Sequence, residues 1–238
     1  RVAVTAEGVE GQFLAAPRKP SALAYLQTIP KHWACARLSL LAKLGSGHTP
    51  SREHPEWWTD ATIPWITTGE VWQLRDDRVE YVSETREKVS DLGIANSAAE
   101  IHPAETVFLS RTASAGFSGI MARDMATSQD FVTWTCGPRL RPRFLLLCLR
   151  AMRVDLLGRL AMGSTHKTIY FPDVQSIKVP LPPVEEQDQV VEWMWARLHA
   201  IDAAVDAIQR QMSLLRERRQ AVIAAAVTGQ HEIPGAAA

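Results

Sequence analysis

The sequence predicts an α+β protein: a globular domain built on a mixed or antiparallel sheet, followed by one long coiled-coil α-helix. Three observations lead there. Between Ile29 and Pro182, short apolar runs are broken by Gly, Pro and Ser, the texture of buried strands. After Pro182-Pro183, apolar residues recur in alternating steps of three and four, the period of a helix paired along a seam. The length, 238 residues at 46% hydrophobic and 22% charged, allows one good-sized core plus an accessory element, with two domains as the upper limit.

Residues 1–27 contain Ala and Pro without periodicity and read as a flexible lead-in or linker. Arg1 to Gln12 include Glu7 and Glu10 and no apolar signal core, which argues against secretion. The first residue is not Met, so the chain reads as a piece of a longer product or as a processed or engineered start. Residues 28–182 form the predicted domain. Strands are expected at Ile63–Ile66, Thr106–Leu109 and Phe131–Trp134, a helix at Phe144–Met152, and a second helix continuing over Val154–Met162.

The long helix is expected over 183–228, with 229–238 as a tail. Pro183 suits a first helical turn, and Glu185, Glu186 and Asp188 complement the positive end of the helix dipole. Nothing breaks the pattern until Thr228-Gly229. The seam runs Val191, Met194, Leu198, Ile201, Val205, Ile208, Met212, Leu215, Val222 and Ala226, with Arg219 the one polar intruder. At 1.5 Å per residue this makes a rod of roughly 66 Å, which calls for a partner. The alternative, a helix packed on its own domain, sits poorly with so narrow and long a seam.

Composition excludes several classes. No run approaches the roughly 18 apolar residues needed to span a bilayer. Cys35, Cys136 and Cys148 lie far apart and are odd in number, against a disulfide framework or a zinc site and in keeping with a reducing cytoplasm. Net charge is zero, yet unevenly placed. Of 26 basic and 26 acidic residues, five and eight lie from Pro183 onward, leaving 21 and 18 before it, a mildly basic front that permits nucleic-acid binding. Enzyme signatures are mostly absent. Gly45-Ser46-Gly47-His48-Thr49-Pro50 lacks the Lys-Ser/Thr ending of a P-loop, and Pro172-Asp173 with Lys178 lacks the second acid of a nuclease motif. There is no Asn-Pro-Pro-aromatic methyltransferase tetrapeptide, and the seven histidines are scattered.

What remains is a set of polar loops flanking the strands. They carry Lys43, Ser46, Thr49, Ser51 and Arg52, then Thr67 and Thr68, Arg111, Ser128 and Gln129, and finally Ser164, Thr165, His166 and Lys167. Hydroxyls, amides and single cations beside a rigid sheet are what phosphate and base-edge contacts require, although the same residues also fill ordinary turns. For Arg111 and Lys167 the alternative is a solvated or salt-bridged surface charge. For Trp57, Trp58 and Trp65 it is core packing.

The order of several segments resembles the target-recognition domain and following helix of type I restriction-modification specificity subunits. The matching pieces begin with Ile29-Pro30-Lys31-His32-Trp33, Leu44-Gly45-Ser46-Gly47-His48-Thr49-Pro50-Ser51-Arg52, Pro55-Glu56-Trp57-Trp58 and Ile63-Pro64-Trp65-Ile66. Phe108-Leu109-Ser110-Arg111, Met162-Gly163-Ser164-Thr165 and Val179-Pro180-Leu181-Pro182-Pro183 leading to Glu185-Glu186-Gln187 follow. The end, Leu214-Leu215 through Arg219-Gln220-Ala221-Val222-Ile223 to Ala226-Val227-Thr228-Gly229, is also similar. The resemblance spans residues 28–230.

The resemblance implies a non-catalytic, sequence-specific reader of double-stranded DNA that takes one half of a bipartite target and scaffolds methyltransferase subunits, with restriction subunits joining for cleavage. It implies no cofactor on this chain, S-adenosylmethionine and ATP belonging to the partner subunits. It favours DNA for the loop Ser164–Lys167, which lies just before the exit strand. Family members usually carry two domains and two antiparallel helices. One of each here implies either half of a longer subunit or a half-length chain that works as a homodimer. The rival readings are a stand-alone methyltransferase or nuclease and a structural coiled-coil protein.

Overall fold

The structure, a computed structural model, describes residues 16–112, 114–162 and 168–230. The chain divides into two units, residues 1–194 and 195–238.

The first unit opens with an antiparallel hairpin, β1 (Arg18–Leu23) and β2 (Leu26–Pro30). The expectation of an unstructured lead-in through residue 27 is therefore corrected for residues 18–27; residues 1–15 lie outside the described ones. The reason is packing: Leu23, Leu26 and Ile29 are buried, and three apolar anchors order a segment whose sequence has no clear period. Next comes β3 (Ala34–Arg37), which pairs antiparallel with the last strand of the unit, β14 (Lys178–Leu181), so the domain closes where it begins.

Between them lie β4 (Ala42–Ser46), β5 (Ile63–Ile66), β6 (Tyr81–Val82), β7 (Lys88–Val89) and a short helix α1 (Asp91–Ala95). β8 (Val107–Ser110), β9 (Ser118–Met121), β10 (Ala126–Thr127) and β11 (Phe131–Cys136) follow, then helix α2 (Pro142–Asp155). A five-stranded sheet is ordered β4-β11-β8-β9-β6, antiparallel except for β6 with β9, and a three-stranded sheet is ordered β10-β5-β7. The predicted mixed sheet is thus present. Phe131 to Trp134 are all buried, as expected for an interior strand flanked by β4 and β8.

Helix α2 starts on Pro142, where a missing N–H costs nothing, and packs across β8 and β9. The second helix expected over Val154–Met162 is replaced by a π-helical turn at Leu156–Leu160 and a short strand β12 (Ala161–Met162), paired with β13 (Thr168–Ile169). A strand partner there outweighs helical propensity, and Gly158 inside the turn weakens the helix further. The core holds Ile66, Leu74, Val82, Phe108, Met121 and Phe131, the two phenyl rings meeting edge-to-face at 5.8 Å.

Two buried arginines on α2 tie the domain together. Arg153 grips the Asp77 carboxylate with bonds of 2.6 and 2.9 Å and donates to the Gly116 carbonyl at 2.8 Å. Arg150 donates to the carbonyls of Asp77 and Val79 at 2.7 and 2.6 Å. Asp77 has φ 59° and Gly116 φ 89°, left-handed conformations in which an aspartate is tolerated and a glycine is favoured.

Helix α3 (Phe171–Ser176) leads to β14, and α4 runs over Val184–Val227. The first turn of α4 explains two of the sequence motifs. The Trp33 indole donates to the Glu186 carboxylate at 2.7 Å. Buried Gln187 donates to the carbonyls of Arg139 and Pro182 and accepts from the Arg141 N–H at 2.9 Å. In the second unit the helix stops as expected: Gly229 (φ 71°) follows Thr228, and the Gln230 N–H reaches back to the Ala225 carbonyl at 2.8 Å.

Candidate nucleic-acid interface

Strand pairing brings most of the predicted polar loops together. Ser46 at the end of β4 opposes Val132 at the start of β11, so the loop 46–52 lies beside the loop 127–130 that feeds β11. His48 N–H donates to the Thr127 carbonyl at 3.0 Å, and the Thr49 hydroxyl donates to the Gln129 side-chain carbonyl. On the other flank β8 pairs with β11, which sets Arg111 against Asp130: its N–H donates to the Asp130 carbonyl at 2.8 Å. The Arg111 guanidinium donates to the Gln129 carbonyl at 3.1 Å and lies 5.3 Å from the Phe171 ring centre. The Arg111 carbonyl accepts from Ile169 N–H at 2.8 Å, which attaches the strand after the Ser164–Lys167 loop to the same cluster. Ser164, Thr165, His166 and Lys167 themselves lie outside the described residues.

Two glycines make the close approach possible. A Cβ on Gly47 would stand 2.1 Å from both the carbonyl and the hydroxyl of Thr127 and 2.4 Å from the Ser128 carbonyl. One on Gly45 would meet the Thr133 hydroxyl at 2.6 Å. The Gly-Ser-Gly of the sequence is therefore a packing requirement and not a phosphate cradle.

Other predicted residues take different roles. Ser128 is buried; its hydroxyl donates to Asp130 at 3.3 Å and accepts from the Asp130 N–H, so it braces its loop from inside. Thr67 accepts from Gly69 N–H at 3.2 Å and caps the turn that begins at Thr68. Ser51 likewise accepts from Glu53 N–H at 3.2 Å. Lys43 stands apart from the cluster, in a small cleft with Gly45, Glu100, His102, Thr133 and Thr135.

The tryptophans do more than pack. Trp65 is buried, while Trp57 and Trp58 are half-buried. The Trp58 indole donates to the Ser51 carbonyl at 3.1 Å and the Trp65 indole to the His48 carbonyl at 3.3 Å. Both therefore hold the backbone of the 46–52 loop. Arg52 stacks 3.6 Å above the Trp58 ring and pairs with Glu87. Phe171 and Glu87 are not singled out by the sequence, and Asp130 only as the end of the polar loop 127–130. Only Asp130 carried a signal, a carboxylate two residues after a serine, the spacing of a local side-chain turn.

Reactive chemistry is hard to place here. Burial raises the thiol pKa of Cys35, Cys136 (to about 12) and Cys148, so none is a ready thiolate at neutral pH. Among the described residues, no group of three or more His, Cys, Asp or Glu could hold a metal ion, and no helix is long and apolar enough to cross a membrane.

The seam splits by exposure. Val191, Met194 and Leu198 are buried, whereas Ile201, Val205, Ile208, Met212, Leu215 and Val222 are exposed, Ile208 by 57%. Apolar residues at heptad spacing and open to solvent are the substance of an association surface.

A domain that gathers pinned polar loops at one end of two sheets and leads into a long helix has the fold of known specificity subunits. The HsdS subunit of Thermoanaerobacter tengcongensis superposes with a TM-score of 0.59 at 16% identity, over 85% of this chain and 43% of that one. A solved chain from the type I R-M system, studied for complex assembly and conformational transition, gives 0.69 at 17% identity, over 94% and 51%. Residues 30–213 match the family model of the type I restriction modification DNA specificity domain, and the chain belongs to that family. By sequence it is 23% identical over 163 residues to the type I restriction enzyme MjaIX specificity subunit of Methanocaldococcus jannaschii, covering 68% of this chain and 37% of that one. The putative MjaX specificity subunit of the same organism is 31% identical over 78 residues, 33% of this chain and 17% of that one. The chain thus spans well under half the length of these curated relatives.

Proposed function

We propose that this chain reads one half of a bipartite double-stranded DNA target in the cytoplasm and has no catalytic activity of its own. The observation that carries this reading is the convergence of loops 46–52, 110–112 and 127–130 at one end of the sheets, each held by main-chain or indole hydrogen bonds. Rigid loops position hydroxyls, amides and guanidiniums more precisely than mobile ones, and base discrimination depends on that precision. Within it Arg52, Thr49, Gln129 and Arg111 supply the contacts. The exposed seam from Ile201 to Val222 pairs with a second specificity half or a second copy of the chain, and the assembled frame holds methyltransferase and restriction subunits. S-adenosylmethionine and ATP would be bound by those partners.

Selection from a randomised duplex library by the chain together with a methyltransferase subunit, followed by sequencing, tests this. Enrichment of one short half-site, repeated or joined to a second at fixed spacing, is the expected result. Enrichment of nothing, or turnover of DNA by the pure chain, would overturn the reading.

A further inference from the structure

Arg52 and Glu87 come from distant parts of the sequence and are set against each other by independent constraints. The Trp58 indole fixes the Ser51 carbonyl at 3.1 Å, so the backbone just before Arg52 is held. The Trp65 N–H donates to the Glu87 carbonyl at 3.1 Å, and the Thr85 hydroxyl donates to the same oxygen, so Glu87 is held too. The central carbon of the Arg52 guanidinium lies over the Trp58 ring, 3.6 Å from its centre and 5.4 Å from the Trp65 ring centre, while its outer nitrogen meets the Glu87 carboxylate. Both side chains are about half exposed, at 54% and 46%.

A stacked guanidinium is pre-oriented and loses little freedom when it binds a planar acceptor. Here one outer nitrogen of that fork is already engaged by a carboxylate of this chain. A half-exposed pair of this kind is weak, so a DNA acceptor can displace it. Breaking the pair then lowers the net gain of every complex that uses Arg52. We propose that Glu87 is a gate on Arg52: it occupies the guanidinium on the Trp58 shelf until a DNA acceptor takes its place, so that only an acceptor able to displace the carboxylate engages Arg52. This rests on the reading of the loop cluster as the DNA surface. The shared ligand chemistry is an oxygen or nitrogen acceptor, either a phosphate or the guanine edge.

The test is duplex binding by the full chain, wild type and the variants Glu87→Gln, Glu87→Ala and Arg52→Ala, across a salt series. The probes are a random-sequence duplex and a panel with single base changes, and thermal melting establishes that each variant is folded. The gate predicts that both Glu87 variants bind about two- to fivefold more tightly than wild type, the worth of one exposed ion pair. If the acceptor is a phosphate, the gain is uniform across sequences and the salt slope steepens by about one contact. If it is a guanine edge, the gain is confined to duplexes that keep one particular G·C pair. Unchanged affinity for both folded Glu87 variants, with Arg52→Ala weakened, would overturn the gate and leave the DNA surface standing. Unchanged affinity for Arg52→Ala would remove the pair from the interface and overturn the gate as well. No binding by any form would overturn the DNA reading itself, and the gate with it.

Discussion

Gly47→Ala tests whether the apposition of loops 46–52 and 127–130 is the basis of the site. The added methyl carbon would stand 2.1 Å from two oxygens of Thr127 and 2.4 Å from the Ser128 carbonyl. Ordinary contact begins near 3.4 Å, so the loops must part by roughly 1 Å. Two of the obstructing atoms are backbone carbonyls, which have no rotamer to escape into. Separation breaks the His48 N–H bond to Thr127 and strains the Trp65 indole bond to His48. Overpacking costs about 1–3 kcal/mol and each lost hydrogen bond about 1 kcal/mol net, giving roughly 2–4 kcal/mol in all. For a domain of this size that lowers Tm by about 5–15 °C. Gly158→Ala is the control, since a Cβ there meets nothing within 4 Å. Calorimetry with duplex-binding titrations on both variants reads the outcome. A Gly47→Ala protein that melts within a degree of wild type and binds DNA equally well would refute both the steric argument and the placement of the site.

Ile208→Asp puts a carboxylate in the middle of the exposed seam, and burial of an unpaired charge should weaken helix pairing by roughly a thousandfold. Light scattering would show the loss of mass, and unchanged mass would mean the seam is not an assembly surface. Asp77→Asn removes the charge that Arg153 grips while keeping the side-chain shape, and should destabilise the domain by about 3 kcal/mol. Urea denaturation reads this, and a loss under about 1 kcal/mol would show the network to be dispensable. Arg111→Ala should weaken duplex binding about tenfold with no change in melting, because its guanidinium is half exposed and its main-chain bonds survive; equal affinity would remove it from the interface.

The strands at Ile63, Val107 and Phe131 and the helix at Pro142 were legible because each is a contiguous apolar run, and burial follows directly from such runs. The helix from Val184 was legible from its seam and from the acidic residues at its start. The β1–β2 hairpin was not, since its three apolar anchors are spread over seven residues with Ala24, Tyr25, Gln27 and Thr28 between them. The break after Asp155 was hidden for a different reason: the strand pairing of Ala161 with Ile169 is decided by tertiary partners. At the site, residue type singled out Thr49, Arg52, Arg111 and Gln129, which lie on the loops that the fold brings together. It could not tell that Ser128 faces inward, or that the tryptophans hold the loop by their indole N–H groups. Those depend on which atoms the fold brings within 3.5 Å, the indole partners standing 7 and 17 positions away.

The neutral charge of the chain acquires a meaning from these contacts. Arg52 is engaged by Glu87 and Trp58, and Arg111 by the Gln129 carbonyl and Phe171, so neither is a loose cation waiting for any phosphate. A surface of this kind releases few counterions on contact and gains little affinity from a generic duplex. Discrimination then falls on those acceptors that replace the internal partners with good geometry, and one domain offers only a few such contacts. On the proposed reading, useful affinity comes from a second domain held at a fixed distance, where the linkage converts two weak half-site interactions into one strong one. A helix of 44 residues with an exposed apolar seam from Ile201 to Val222 is the element able to impose that distance. On that reading the internally engaged loop cluster and the long exposed seam are two sides of one arrangement, and neither would serve a reader of DNA without the other.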